Sequence, residues 1–266
     1  MAFTANAEGI ESANVCGYQQ VNVPAGYYVF TPTFKNIGAD QKFDIKTLKP
    51  ILPAGAQVAN NQKVSIFVLD AAGNYGASIS WYGKKEMWTI DGVNAIADGE
   101  VMVGAGQGIA VWNTVKVNET TGAEVAKGGV TTPIHFLVSG EVDLECRNLV
   151  PAGYMLNGNS TPVSINLKNV TPRLPSGLAV ANNQKVSVFK LDSAGNYEAS
   201  ISWYGKSGMW TKDGTNPISD EEGVLAPGCG FAVWNTAKIN AATGAEVAKG
   251  GVATAIYLEL PRPIER

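Results

Sequence analysis

The chain has 266 residues, so two halves of about 125 residues would each be long enough to bury a hydrophobic core. Hydrophobic residues make up 45% of the chain and charged residues only 16%, a composition that favours a secreted or assembled protein. The chain has a net charge of -3 and no cluster of basic residues. No stretch reaches the roughly 18 apolar residues of a membrane helix. We therefore expect neither a nucleic-acid partner nor a membrane span.

The first residues, "MAFTANAEG", end in the small-x-small pattern that follows the apolar core of a signal peptide. Residues 1–14 are interpreted as an export-signal remnant or an extended N-terminal segment. A strand-like pattern then alternates apolar and polar residues up to the first Pro-Ala-Gly turn. This strand either pairs within its own domain or adds to a sheet edge of another subunit. The candidate assembly residues are Val15, Tyr18, Val21 and Val23.

A long internal repeat is the strongest signal in the sequence. "VANNQKVSIFVLDAAGNYGASISWYGK" begins at Val58 and returns almost unchanged at Val180, 122 residues later. Without a gap, 53 of the 77 positions of residues 58–134 are identical to those of residues 180–256. We predict one domain over residues 15–139, a second over 140–260 and a C-terminal tail over 261–266.

Within each repeat the apolar pattern has a period of two, which is typical of β-strands. In "VSIFVLD" this alternation predicts that Phe67 and Leu69 point inward and that the opposite face is partly wet. A turn at Gly73-Asn74 leads into "ASISWYG", where Ile79 and Trp81 are predicted to be buried. Short strands with frequent turns predict an all-β protein of two tandem, homologous β-sandwich or barrel-like domains.

The polar stretch "WTIDGVNAIADGE" from Trp88, and its copy from Trp210, bring side-chain oxygens together. Calcium binds six to eight oxygen ligands, so this stretch is a weak calcium candidate. Asp-Gly and Asn are also ordinary turn formers, and the spacing is not that of an EF-hand. We predict no metal site and no cofactor. The weak calcium candidates are Asp91, Asn94, Asp98, Asp213, Asn216 and Asp220.

Aromatic residues recur at matching positions in the two copies. Exposed flat rings beside polar groups are typical of sugar-binding surfaces, whereas large rings also fill the cores of small β domains. Burial is favoured for Trp81 and its copy Trp203, and both interpretations stay open for the other four tryptophans. The candidate ligand-binding residues are Trp88, Trp112, Trp210 and Trp234.

Catalytic motifs are missing from the sequence. It contains no GxSxG elbow, Walker loop or HExxH motif. The single histidine, His135, is replaced by Tyr257 in the second copy, which predicts a partly buried aromatic position. Cys16, Cys146 and Cys229 lack CxxC spacing. We predict that the protein is not an enzyme.

Several short elements carry a resemblance to a known family. "SANVCGYQQVNVPAGY", the "LPAG" turn, "LAPGCGFAVWN" and the "SGEV" junction resemble secreted β-rich repeat proteins encoded in Verrucomicrobia and related bacteria. The sequence departs from that family at Cys16 and in having "GIAVWN" and "GFAVWN" where the family has "GFF". The resemblance implies export and a β fold, and it supplies no catalytic residues.

These observations predict a non-enzymatic, extracellular structural or adhesive protein, located at the cell surface or secreted. Self-association is expected, and the protein is a candidate subunit of a filament or surface assembly. The alternative is a tandem carbohydrate-binding protein that uses exposed aromatic residues to hold polysaccharide.

Overall fold

A computed structural model describes residues 16–37, 42–70 and 72–262, and the all-β class is confirmed in them. The strands of the N-terminal copy are β1 (Cys16–Val23), β2 (Gly26–Phe30), β3 (Phe34–Lys35), β4 (Lys42–Asp44), β5 (Val64–Val68), β6 (Ile79–Tyr82), β7 (Met87–Thr89), β8 (Met102–Gly104), β9 (Ile109–Asn113), β10 (Lys116–Val117), β11 (Val130–Thr131) and β12 (Ile134–Val142). The strands of the C-terminal copy are β13 (Arg147–Val150), β14 (Gly153–Gly158), β15 (Ile165–Asn166), β16 (Thr171–Arg173), β17 (Val186–Lys190), β18 (Ile201–Tyr204), β19 (Met209–Thr211), β20 (Val224–Leu225), β21 (Gly230–Asn235), β22 (Lys238–Ile239), β23 (Val252–Ala253) and β24 (Ile256–Glu259).

Among the residues that the structure describes, helix is confined to short turns. Three of them are 3₁₀ turns, and the α-helix α1 is a single turn that begins at a capping box formed by Ser219 and Glu222. None of these described helices is long or apolar enough to cross a membrane. The helical turns are Ile45–Thr47, Gly83–Lys85, Leu167–Asn169 and α1 (Asp220–Gly223).

The two copies build the same principal sheet. In the N-terminal copy five antiparallel strands lie in the order β2-β9-β5-β6-β7, and in the C-terminal copy the order is β14-β21-β17-β18-β19. The first and last strands of each copy also pair, β1 with β12 and β13 with β24. The repeat in the sequence is therefore a repeat of strand order, as expected when one unit has been copied.

One face of each five-stranded sheet packs on the core of its own copy. Ile79 and Trp81 lie in this core, as predicted. The predicted face of β5 is wrong, because Val64 and Ile66 point into this core while Phe67 points away from it. Alternation could not reveal the error, since both faces of β5 are covered and both therefore carry apolar residues.

The opposite face of the sheet packs against the other copy. Val29, Ala110 and Phe67 are neighbours across β2, β9 and β5. Val29 and Ala110 belong to the same buried cluster as Leu156 and Ala232 of the C-terminal copy. The copies thus share a hydrophobic core, and the division into domains at residue 139 stays a prediction.

Contacts between the copies occur in equivalent pairs, in which the two copies swap roles. Phe30 forms a β-bridge with Cys229, and Gln107 forms the equivalent bridge with Asn157. In the alignment of the repeats, Phe30 corresponds to Asn157 and Gln107 to Cys229. Such an exchange is the property of an isologous interface, in which two subunits are related by a two-fold rotation. The two copies are therefore arranged like the subunits of a symmetric dimer that share one chain.

Two equivalent glycines allow the backbones to meet at this interface. The Gly108 N–H donates to the Leu156 carbonyl at 2.9 Å. A Cβ atom at Gly108 would lie 2.8 Å from the Leu156 Cβ, and one at Gly230 would lie 2.6 Å from the Val29 carbonyl oxygen. These separations are too short for any side chain, so the interface requires glycine at both positions.

The N-terminal strand pairs inside its own copy. β1 is bonded to β12 along its whole length, from Cys16 opposite Glu141 to Val23 opposite Ile134. Val21 and Val23 are buried in their own core, and β1 is the outer strand of the three-stranded sheet β1-β12-β3. Tyr18 is exposed, whereas Val15 lies outside the described residues. β12 continues past the predicted domain boundary to Val142.

Candidate functional site: an aromatic surface at the junction of the copies

A row of side chains crosses the five-stranded sheet on the face that packs against the other copy, two residues along each strand from Val29, Ala110 and Phe67. Tyr27 pairs with Trp112, Trp112 with Ser65, Ser65 with Ser80, and Ser80 with Thr89. Residues directly opposite one another on paired strands project from the same face of the sheet. The C-terminal copy repeats this row with Tyr154, Trp234, Ser187, Ser202 and Thr211.

Two tryptophans in these rows are unusually exposed for their position. Trp112 is 49% exposed and Trp234 is 48% exposed, although each lies on a central strand. Their neighbours along the strand, such as Val111, are fully buried on the core side. An indole ring in the middle of a sheet is normally covered, so the exposed half of each tryptophan is available to a ligand.

Four tyrosines join the two rows at the junction of the copies. The Tyr27 hydroxyl lies 3.0 Å from that of Tyr75 and 3.2 Å from that of Tyr197. The Tyr154 hydroxyl lies 2.8 Å from the Tyr197 hydroxyl. Tyr27 corresponds to Tyr154 in the repeat and Tyr75 to Tyr197, so each copy contributes the same two residues. We call these four residues the tyrosine cluster.

A tight turn carries Tyr75 and its equivalent to the cluster. The Asp70 carboxylate accepts hydrogen bonds from the N–H groups of Ala72 and Asn74, both at 2.9 Å, and the bonds from Asn74 in particular hold the Asp70 pKa below its usual range. Gly73 has φ +81° and lies directly against the Tyr154 carbonyl. The sequence identified Gly73 as a turn residue, but this close approach could not be read from it.

Three phenols of the cluster are held in the protonated form. Burial raises the pKa of Tyr27, Tyr154 and Tyr197 well above the usual range for a phenol, and contacts with the other phenols modify the shift in each case. The neighbouring rows contain only hydroxyl and aromatic side chains. The exposed part of each row is therefore aromatic and rich in hydroxyl groups, whereas Thr89 and Thr211 at its end are 1% exposed and donate to the Asp91 and Asp213 carboxylates.

Ligand binding by Trp88 and Trp210 is ruled out by their burial. Each residue is 1% exposed, and the indole N–H of Trp88 donates to the Leu48 carbonyl at 2.7 Å. The Trp88 ring also packs edge-on against Trp81, with centroids 5.3 Å apart. The prediction that Trp88 binds a ligand was wrong, because the polar sequence around it contains a three-residue strand, β7, that pairs with β6.

The acidic loop that was the weak calcium candidate instead stabilises its own turn. One Asp91 carboxylate oxygen accepts from the N–H groups of Val93 and Asn94, both at 2.8 Å, and these bonds hold its pKa far below the usual range. Asp98 pairs with Lys46 at 2.6 Å. The second copy repeats both arrangements with Asp213, Asn216, Asp220 and Lys168. In the described part of the chain, no three His, Cys, Asp or Glu side chains are grouped to hold a metal ion.

The remaining reactive side chains are scattered. His135 is half-buried on β12, as predicted, and its backbone bonds to Ile51. The three cysteines are free, and burial together with the Asp143 carboxylate raises the Cys146 pKa to about 11, which keeps it a thiol. A cleft of about 360 Å³ near Cys16 and Leu137 is lined without an acid–base pair.

No protein family, curated protein or solved structure matched the chain. The function of the protein is therefore inferred from the geometry of the rows and the tyrosine cluster.

Proposed function

We propose that this protein is a non-catalytic, extracellular adhesive protein that binds neutral polysaccharide through Trp112 and Trp234. The observation that carries the proposal is the half-exposed indole at the same position of each five-stranded sheet, set between a tyrosine and a row of hydroxyl groups. A flat indole face fits the C–H face of a sugar ring, and nearby hydroxyls can exchange hydrogen bonds with sugar hydroxyls.

The hydroxyl rows supply the polar part of this recognition. The Ser65 and Ser80 hydroxyl oxygens lie 3.1 Å apart, and those of Ser187 and Ser202 lie 2.8 Å apart. Each hydroxyl can donate one hydrogen bond and accept two, so a bonded pair retains capacity for a ligand. Because the rows carry no charged side chain, we expect an uncharged sugar chain as the ligand.

Two equivalent surfaces in one chain favour adhesion over catalysis. Two attachment points raise the overall affinity for a repetitive polymer without new contacts. The low charge of the protein and the resemblance of its short motifs support a location outside the cell or at its surface. Strand exchange through β1 is not part of this proposal, because β1 pairs with β12 inside its own copy.

Affinity electrophoresis in gels that contain xylan, mixed-linkage β-glucan or hydroxyethylcellulose tests the proposal. We expect at least one polysaccharide to retard the parent protein. Trp112→Ala and Trp234→Ala should each weaken the affinity for that polysaccharide by about tenfold, equivalent to about 1.4 kcal/mol. The double variant should not be retarded. Tyr18→Ala is the matched control. Tyr18 is also an exposed aromatic residue, but it lies on β1 and belongs to neither the rows with Trp112 and Trp234 nor the tyrosine cluster. Retention by the double variant equal to that of the parent, or no retention of the parent by any polysaccharide, would contradict the proposal.

A further inference from the structure

We infer that Trp112 and Trp234 bind one polysaccharide chain together, and that this chain crosses the junction of the two copies over the tyrosine cluster. The inference rests on the proposed function and adds the path and minimum length of the ligand. It differs from the simpler arrangement in which each copy holds a separate sugar chain.

The aromatic surface is continuous from one tryptophan to the other. Trp112 is the cross-strand neighbour of Tyr27, and such neighbours have Cβ atoms about 5 Å apart. Tyr27 bonds to Tyr197, and Tyr197 bonds to Tyr154. Tyr154 in turn is the cross-strand neighbour of Trp234. A chain that lies on one indole therefore reaches the other without leaving aromatic side chains.

The middle of this path is accessible and polar at its surface. Tyr75 is 49% exposed and Tyr197 is 41% exposed, whereas Tyr27 and Tyr154 are half-buried, so solvent reaches the cluster at Tyr75 and Tyr197. A phenol that donates one hydrogen bond and accepts another still has a free acceptor lone pair. The cluster thus presents acceptors to the hydroxyl groups of a sugar chain between the two indoles.

The separation of the two tryptophans is fixed by packing. Val29 and Ala110 are buried in the same cluster as Leu156 and Ala232, and Gly73 and Gly195 each rest on the backbone of a tyrosine in the opposite copy. Because the spacing is rigid, the protein loses no additional conformational entropy when a sugar chain binds to both tryptophans. Affinity should therefore increase sharply once the chain is long enough to reach both indoles.

Calorimetric titration of the full chain with cello-, xylo- and chito-oligosaccharides, from disaccharide to octasaccharide, tests the inference. We expect affinity to rise by about a hundredfold over the series and then level off, with one long oligosaccharide bound per protein. Trp112→Ala and Trp234→Ala should each reduce the affinity of the octasaccharide to that of the short oligosaccharides.

Tyr197→Phe separates the path over the cluster from the two end sites. This variant keeps the ring but removes the hydroxyl that bonds to both Tyr27 and Tyr154. It should weaken octasaccharide binding several-fold and leave disaccharide binding unchanged, with Tyr18→Phe as the control.

The single-chain path would be overturned if two octasaccharides bind independently to each protein and each of the two substitutions, Trp112→Ala and Trp234→Ala, abolishes one of these sites. The proposed function would then remain intact. Affinity that does not change with length would do the same. If no oligosaccharide of any length binds, the inference and the proposed function both fail.

Discussion

Identical residue types have opposite roles within one repeat unit. Trp88 is enclosed in the core and its indole N–H is bonded, whereas Trp112 exposes half of its surface. The difference follows from strand pairing, since Trp88 lies opposite Trp81 on the face that packs on its own core and Trp112 lies opposite Ser65 on the face toward the other copy. Stability and binding therefore depend on different tryptophans.

Removing each ring should separate these two roles. We expect Trp88→Ala to lower the free energy of unfolding by about 3–5 kcal/mol, because it leaves a cavity and an unpaired Leu48 carbonyl. Trp112→Ala should change it by less than about 1 kcal/mol. Urea denaturation followed by circular dichroism measures both values, and equal losses for the two variants would show that the assignment of core and surface is incorrect.

At the level of elements, the turn from Asp70 to Gly76 connects the hairpin β5–β6 to the other copy. Its conformation comes from Asp70 and its position from the contact of Gly73 with Tyr154. The equivalent turn places Gly195 against Tyr27. The tyrosine cluster is therefore assembled by two hairpin turns that each reach across the junction.

Gly73→Ala should disturb the junction more than an equivalent change elsewhere. Gly55 has a similar φ of +87° but no atom within 4 Å of an added Cβ, so Gly55→Ala introduces only backbone strain of about 1 kcal/mol. Gly73→Ala adds a clash with the Tyr154 carbonyl to the same strain. Thermal unfolding should show the larger loss for Gly73→Ala, and equal losses would mean that the contact contributes nothing.

The tyrosine cluster also predicts loss of stability in alkali. Burial raises the folded-state pKa of Tyr27, Tyr154 and Tyr197, while the unfolded chain releases these protons near pH 10. The folded state then holds more protons than the unfolded state, so stability is complete below about pH 10 and falls as pH rises above it. Tyr28, whose pKa burial raises to about 12, acts in the same direction.

Urea denaturation between pH 8 and pH 11.5 measures this effect. The free energy of unfolding should decrease above about pH 10, and the decrease should be smaller in the double variant Tyr27→Phe/Tyr154→Phe. Equal slopes in the parent and the variant would show that the phenols of the cluster are not held protonated by the fold.

Sequence patterns predicted the elements better than their packing. Period-two alternation and the repeat indicated the strands, the turn at Gly73 and the burial of Trp81. The row that contains Tyr27, Trp112 and Ser65 joins three strands that are distant in sequence, so its register depends on long-range pairing. The similarity of the two copies in sequence does not determine how they pack together, so it does not predict the tyrosine cluster.

For the whole molecule, the repeat produces a symmetric dimer within one chain. Val29, Leu69 and Ala110 of the N-terminal copy belong to a cluster that is otherwise formed by the C-terminal copy. Each surface row lies beside this shared core, so the two exposed indoles keep a fixed relation. Two copies in one chain thus provide two attachment points at a constant spacing.

The shared core predicts that the copies unfold together. Calorimetry should show one transition whose calorimetric and van't Hoff enthalpies agree, because neither copy keeps its buried surface covered alone. Two well-separated transitions would indicate that each copy is independently stable and that the junction is weak.

Binding through Trp112 and Trp234 can be observed directly by NMR of the indole N–H groups. The protein has six tryptophans, and Trp81, Trp88, Trp203 and Trp210 are buried. Titration of ¹⁵N-labelled protein with the polysaccharide that retards it in gels should shift the indole N–H signals of Trp112 and Trp234 and leave the other four in place. Binding that shifts neither of these two signals would contradict the account.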